Sequence, residues 1–304
     1  MPEPAAEEPT FSADDYGRSD GEWLKVDWRE HLRRIDLPGA EVNYVDIGEG
    51  EPIVFVHGMI SCWQTWLENL PHFARRYRAI ALDLPGFGRS PMPSWDIDIP
   101  AYGRMLHDFC EKLGIERSPM LVGNSLGGFV AAEAATAAPG RFERLVLVSA
   151  AGIVNTWRPE QRAVATTLAW KGFASTFGPS RMRAMLHRPR WGQLMIGPFV
   201  HQPARLQEEL LYEQVMGSLP SHAFGDALHA TISHDIRDRL PKVEIPTQIV
   251  WGFYDRIIPV QAALSFRRRI PDSRLEIFER TGHLSQLERP SRFNALLDDF
   301  LTAG

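Results

Sequence analysis

A serine, an aspartate and a histidine each stand where a strand-like run gives way to a turn, and those three residue types can together perform acyl transfer. The serine is the middle of Gly123-Asn124-Ser125-Leu126-Gly127, between the apolar run Met120-Leu121-Val122 and the helix-like stretch from Phe129 to Ala135. A strand that turns sharply into a helix strains its central residue, and glycine two positions to either side leaves room for the close backbone contacts. The Ser125 hydroxyl is thereby displayed at the carboxyl end of a sheet. The first N–H groups of the new helix, and its positive dipole end, face any oxyanion formed there.

A serine hydroxyl is a poor nucleophile at neutral pH, so it needs a base in hydrogen-bond reach and a carboxylate to fix that base's tautomer. Of the ten histidines, His31, His72, His107, His187, His201, His222, His229 and His234 lie among helix-like or charged stretches that suit a solvated or packed imidazole. His283 differs. It follows the strand-like Leu275-Glu276-Ile277-Phe278 and the turn-like Thr281-Gly282, and it precedes Glu288-Arg289-Pro290 at the start of a closing helix. The carboxylate is expected at another strand end, and Ile249-Val250-Trp251-Gly252-Phe253-Tyr254-Asp255 supplies it. Asp255 can also cap the helix that begins near Pro259, since one loop aspartate can do both. The strand-like Leu145 to Val148 ends in Ser149-Ala150-Ala151 and offers no rival carboxylate. The chain order is Ser125, Asp255, His283.

The elements that must hold these residues are strand-like segments at Ala40 to Ile47, Pro52 to Val56, Arg78 to Leu82, Met120 to Gly123, Arg144 to Ser149, Thr247 to Trp251 and Arg274 to Phe278. Helical patterns lie between most of them, notably Ala101 to Leu113 and Leu126 to Ala138. Strands alternating with helices predict an α/β fold with a mostly parallel sheet covered on both faces. No internal repeat or long low-complexity tract interrupts the pattern.

On its motifs the chain resembles the α/β-hydrolase superfamily, from about Leu32 to Leu301. The likeness rests on Val56-His57-Gly58-Met59, the turn Asp83-Leu84-Pro85-Gly86-Phe87-Gly88-Arg89-Ser90, the serine elbow, Trp251-Gly252 with Asp255, and Gly282-His283. The resemblance implies an α/β-hydrolase fold, with a central sheet of about eight strands flanked by helices and an inserted helical cap. It also implies that the backbone N–H groups of Met59 and Leu126 form an oxyanion hole. His57 is expected to shape its loop rather than do chemistry, and the Asp83 to Ser90 turn is given no catalytic part. The expected organisation is an acidic, flexible tail over 1–27, an α/β core over 28–151 and 236–304, and a cap over 152–235.

The cap expectation has its own sequence basis. Between Gly152 and about Asp235 there is no convincing strand, and helix-compatible stretches are rich in Trp, Met, Phe and Arg. From Trp157 to Arg190 there are seven bases against one acid, Glu160. A solvated basic face over an apolar underside explains that pattern. The functional expectation is that apolar side chains here line a pocket, with Trp157, Met182, Met185 and Trp191 as candidates beside Asn124 and Leu284. Such a lining suits bulky hydrophobic substrates.

Composition excludes several other classes. The chain has 304 residues, 44% of them hydrophobic, and a net charge of −5; with a pI near 6.1, a nucleic-acid partner is not expected. Seven acids against one base fall within the first 22 residues, a composition that buries little surface. That acidic start has neither a basic opening nor an apolar stretch, and no run approaches a membrane-spanning length, so a cytoplasmic location is expected, as a monomer or homodimer. Two cysteines, Cys62 and Cys110, are too few for a disulfide framework. No zinc spacing and no Gly-x-Gly-x-x-Gly cradle is present, so neither metal nor cofactor is expected.

The residues therefore predict a serine hydrolase that cleaves carboxylic esters of hydrophobic small molecules through an acyl-enzyme. Carbon–carbon bond hydrolysis of the meta-cleavage-product type is the alternative, since those enzymes also carry asparagine before the serine, as Asn124 does here. The chain departs from them at Leu284, where they usually have tryptophan, and at Glu208-Glu209-Leu210-Leu211-Tyr212-Glu213-Gln214, where they place an arginine. Lactone and thioester cleavage use the same machinery. A ligand-binding receptor of this fold would be marked by a broken triad, and all three members are present.

Overall fold

Short apolar runs rich in β-branched residues make the middle of the sheet: β3 (Pro52–Val56), β5 (Met120–Asn124), β6 (Arg144–Val148) and β7 (Thr247–Gly252). Almost every residue in them is buried, as parallel strands covered on both faces require. The computed structural model of the chain describes residues 15–115, 118–153, 184, 188–219 and 221–303. With β1 (Leu32–Leu37), β2 (Ala40–Ile47), β4 (Arg78–Leu82) and β8 (Ser273–Phe278) the sheet has eight strands, in the order β1-β2-β4-β3-β5-β6-β7-β8. The first two are antiparallel, and β4 through β8 run parallel. This is the α/β-hydrolase architecture expected from the motifs.

The seven expected strands are all present within a residue at each end, and β1 is an addition. Its sequence, Leu-Arg-Arg-Ile-Asp-Leu, has no clean alternation, and only Leu37 is fully buried. It forms because the two-residue turn Pro38-Gly39 folds it back on β2, pairing Leu37 with Ala40. Gly39 takes φ 74° there, the left-handed geometry that the third residue of a Pro-Gly turn needs.

Strand alternation sends side chains to two packed layers. Val54 and Val56 join Tyr102, Leu106, Phe109 and Phe129 on one face. Ile53 and Phe55 join Trp63, Trp66, Phe73 and Phe293 on the other. The helices Ile99–Lys112 and Leu126–Ala137 cover the first face, and Pro290–Thr302 helps cover the second. The chain moves outward from β3 to β4 and then returns to place β5 on the far side of β3. The carboxyl ends of β3 and β5 are therefore neighbours at the point where the strand order reverses, which is where open α/β sheets bind ligands.

The amino-terminal segment departs from expectation. Residues 15–27 are described and packed: Tyr16 and Trp23 are buried in the second layer. Trp23 Nε1 donates to Glu68 Oε1 at 3.0 Å, and Ser19 donates to the same carboxylate. Acidic composition argued for a loose tail, but a few aromatic side chains and their polar partners suffice to anchor a short segment. Residues 1–14 lie outside the described part.

Within 152–235 the described residues form the helices Pro189–Ile196, Glu208–Ser218 and Phe224–Ser233. Among the described residues no helix is long and apolar enough to cross a membrane.

Candidate active site

Ser125 stands between β5 and the helix Leu126–Ala137 with φ 55° and ψ −116°, a positive φ that a non-glycine residue adopts only when its surroundings impose it. Its N–H donates to Val148 O at 2.9 Å and its carbonyl accepts from Ala151 N at 3.0 Å, so β6 holds the turn on both sides. A Cβ at Gly123 would collide with the Gly127 carbonyl, and one at Gly127 with the Val56 and His57 carbonyls. Both glycines are there because backbones meet. The serine is half-buried, while Asn124 and Leu126 on either side are buried.

The loop after β3 lies against this turn: a Cβ at Gly58 would sit 3.1 Å from Ser125 Cβ. His57 fixes that loop. Leu84 N–H donates to its Nε2 at 2.9 Å, so the proton is on Nδ1, which donates to Gly58 O at 2.6 Å. Complete burial pushes the imidazole down to about 4, so it is neutral. Asp83 organises the neighbouring turn by accepting from Trp63 N (2.8 Å), Arg89 N (2.9 Å) and Asn43 Nδ2 (2.9 Å), while burial pushes it up to about 6. The Met59 and Leu126 N–H groups, expected as the oxyanion donors, are bonded to no acceptor among the described residues. Leu126 opens its helix, so its N–H has no partner within it.

His283 and Asp255 are brought together. His283 Nδ1 lies 2.8 Å from Asp255 Oδ2, and both residues are buried. Asp255 Oδ1 accepts from Ile257 N (2.8 Å) and Ile258 N (2.9 Å), so the aspartate ties down the turn after β7 rather than capping the next helix, which starts at Gln261 after Val260 with no side-chain cap. A carboxylate only accepts, so the proton between the pair belongs to Nδ1 and leaves Nε2 free as a base. The approach depends on Gly252, since a Cβ there would collide with the Thr281 and Gly282 carbonyls. Asn124 Nδ2 donates to Val148 O at 3.1 Å and to His283 O at 3.4 Å, tying the serine turn to the histidine loop. Among the described residues no hydrogen bond joins Ser125 Oγ to His283. Such bonds are often long without substrate and shorten in the Michaelis complex.

The expected pocket residues fare differently. Asn124 is buried and spends its amide on backbone carbonyls instead of an open wall. Leu284 is half-buried and packs against the second core layer. Trp191 is 37% exposed on the helix Pro189–Ile196. Trp157, Met182 and Met185 lie outside the described residues. Sequence reasoning gave no role to Glu288, a buried carboxylate that accepts from Gly282 N at 2.9 Å and Leu284 N at 3.3 Å, on both sides of His283. The signal for it was an acid five residues past the histidine, just before the proline that opens the last helix.

Comparison with known proteins places the chain in a family. The family described as alpha/beta hydrolase fold matches residues 51–290. The chain is 32% identical over 276 residues to 2-hydroxy-6-oxononadienedioate/2-hydroxy-6-oxononatrienedioate hydrolase 2 of Pseudomonas putida, covering 86% of this chain and 91% of that protein. It is 30% identical over 280 residues to 2-hydroxy-6-oxo-6-phenylhexa-2,4-dienoate hydrolase of Comamonas testosteroni, covering 88% and 93%. Among solved structures it resembles a thermophilic esterase from Thermogutta terrifontis, with TM-score 0.73 and 24% identity over 88% of this chain and 98% of that one. That last likeness speaks to fold alone.

Proposed function

The chain belongs to the α/β-hydrolase fold family, and from that premise we propose that it hydrolyses a carbon–carbon bond in a 2-hydroxy-6-oxo-dienoate. Ser125 is the nucleophile, His283 the base and Asp255 the group that orients it. The observation that carries the choice of bond is the 32% identity, across 86% of the chain, to a hydrolase of such a compound. This favours the reading that the residues alone ranked second to ester cleavage.

The chemistry follows from the substrate class. In its 2,6-dioxo tautomer C5 is a methylene between the C6 ketone and the C3=C4 bond. Ser125 Oγ attacks C6 as its proton passes to His283 Nε2, and the oxyanion faces the Met59 and Leu126 N–H groups. The C5–C6 bond then breaks, and its electron pair passes along the conjugated chain to the C2 oxygen, which takes up the proton from His283. Water, activated by the same imidazole, releases the acyl group from Ser125. One water is consumed, C6 leaves as a carboxylic acid and the other fragment as 2-hydroxypenta-2,4-dienoate. The described helices Pro189–Ile196, Glu208–Ser218 and Phe224–Ser233 serve as part of a cap over the non-reacting end of the substrate, with Trp191 as the apolar side chain best suited to that.

Ester hydrolysis by the same residues is the second reading. Leu284 behind the histidine and the arginine-free stretch from Glu208 to Gln214 favour it, because they withhold the groups that would be expected around a dienoate head. The test is product analysis by mass spectrometry after incubation with 2-hydroxy-6-oxo-6-phenylhexa-2,4-dienoate. Benzoate and 2-hydroxypenta-2,4-dienoate in equal amounts support carbon–carbon cleavage. Unchanged dienoate alongside rapid cleavage of aryl esters would transfer the assignment to the second reading.

A further inference from the structure

All three consecutive backbone N–H groups of the histidine loop are held. His283 N donates to Phe199 O at 2.7 Å. Gly282 N reaches both carboxylate oxygens of Glu288, at 2.9 and 3.0 Å, and Leu284 N reaches Oε1 at 3.3 Å. The same carboxylate accepts from His201 N at 2.8 Å, which fastens the segment carrying Phe199. One side chain thus fixes the loop on both sides of the base and also fixes the backbone that accepts from the base itself.

The carboxylate is completed by the amino-terminal segment. Tyr16 Oη donates to Glu288 Oε2 at 2.7 Å and accepts from Gln202 N at 2.7 Å. Gly17 N donates to Glu288 O at 2.7 Å. Next door, Arg289 Nε donates to Thr281 Oγ1 at 2.8 Å and Nη2 to Glu279 O at 2.9 Å, while Nη1 pairs with Asp15. Asp15 and Tyr16 thus partner, one each, the two charged side chains that brace residues 279–284. Gly17 has φ 68°, and a Cβ there would collide with Arg205 O, so the strap is fitted to its bed. Burial pushes Glu288 up to about 7 against the pull of its donors. A buried acid held at such a cost in desolvation is poor design for stability alone.

We propose that Glu288 is a positioning residue for His283, and that Tyr16 of the amino-terminal segment completes it by saturating the carboxylate that clamps the histidine loop. The inference rests on the reading of Ser125 and His283 as nucleophile and base. Glu288 touches no reacting atom. It acts by holding the imidazole where Ser125 Oγ can deliver its proton, and small misplacements of such groups are costly. In Glu288→Gln one oxygen becomes an NH2 group facing N–H donors, so at least one side of the clamp is lost without a change of shape.

The test is the second-order rate of Ser125 labelling by a fluorophosphonate, which needs the base but no knowledge of the natural substrate. It is measured on the full-length wild type, Glu288→Gln and Tyr16→Phe, each with its circular dichroism and its kcat and KM on an aryl ester. Labelling and kcat should fall about tenfold or more in Glu288→Gln and by a smaller, measurable factor in Tyr16→Phe, with KM little changed. Equal labelling rates in wild type and folded variants would overturn the positioning role and leave the serine-hydrolase reading standing. If Glu288→Gln does not fold, Tyr16→Phe decides by the same rates. A wild type that is not labelled at Ser125 would sink the reading itself, and the positioning role with it.

Discussion

His283 Nδ1 donates to Asp255 Oδ2 across 2.8 Å, while the other aspartate oxygen is occupied by the N–H groups of Ile257 and Ile258. The aspartate is therefore locked in one orientation, and the imidazole has one tautomer available. Asp255→Asn should keep the two backbone bonds and present an NH2 group to Nδ1, which then becomes the acceptor and puts the proton on the wrong nitrogen. A loss in kcat on the order of 10³-fold or more, with little change in unfolding temperature, is expected from steady-state kinetics and calorimetry. Activity within a few-fold of wild type would remove Asp255 from the mechanism.

The approach of β3 and the serine helix allows no side chain at Gly127, where a Cβ would run into two carbonyl groups of the neighbouring loop. Backbone cannot rotate away as a side chain can. Gly127→Ala should lower stability by about 2 kcal/mol or more in chemical denaturation at unchanged slope. An unaltered midpoint would mean that the turn relaxes more freely than its contacts allow.

Trp23 contributes both apolar area and a hydrogen bond to the buried carboxylate of Glu68, whose other oxygen accepts from Ser19. Trp23→Ala removes the ring and leaves a buried acid short of a donor, so a loss on the order of 3 kcal/mol is expected from equilibrium unfolding. A loss within 0.5 kcal/mol, roughly what an exposed position gives, would show that the strap contributes little to the fold.

Glu288 also gives a pH signature with a definite sign. Its folded value is raised from 4.5 to about 7, so the native state holds this proton more tightly than the unfolded one. The contribution is fully present below 4.5 and is lost as pH rises towards 7. The facing titratable or charged groups are Tyr16, His201, Arg205, His283 and Arg289, which are common to wild type and Glu288→Gln and so largely cancel in the comparison. Wild type should lose stability relative to Glu288→Gln as pH rises through that window, by on the order of 3 kcal/mol at most. Denaturation of both proteins at several pH values reads it directly, and a constant difference would place the Glu288 carboxyl at an ordinary value.

The fold was legible because its central strands are almost pure apolar runs and its site residues all fall at strand ends, where glycines mark close backbone contacts. The turn at Ser125, the carboxylate of Asp255 and the imidazole of His283 all lie next to such punctuation, and the structure brings the last two into contact. β1 was not legible, since Arg33, Arg34 and Asp36 disguise an edge strand that pairing with β2 creates. Nor was the packing of Asp15, Tyr16 and Trp23, because their partners Arg289, Glu288 and Glu68 are distant in sequence and a local acidic composition says nothing of them. Asn124 was placed by its neighbour's chemistry, but which way its amide turns is decided by the β6 and histidine-loop carbonyls.

The central claim is carbon–carbon cleavage by Ser125, and the most direct measurement is loss of the dienoate chromophore of 2-hydroxy-6-oxo-6-phenylhexa-2,4-dienoate in wild type and in Ser125→Ala, beside a series of aryl esters. The account predicts turnover of the dienoate by wild type, with kcat lower by a factor on the order of 10³ or more in the variant. A stable chromophore in the presence of wild-type protein that cleaves the esters, or equal decay with Ser125→Ala, would contradict it.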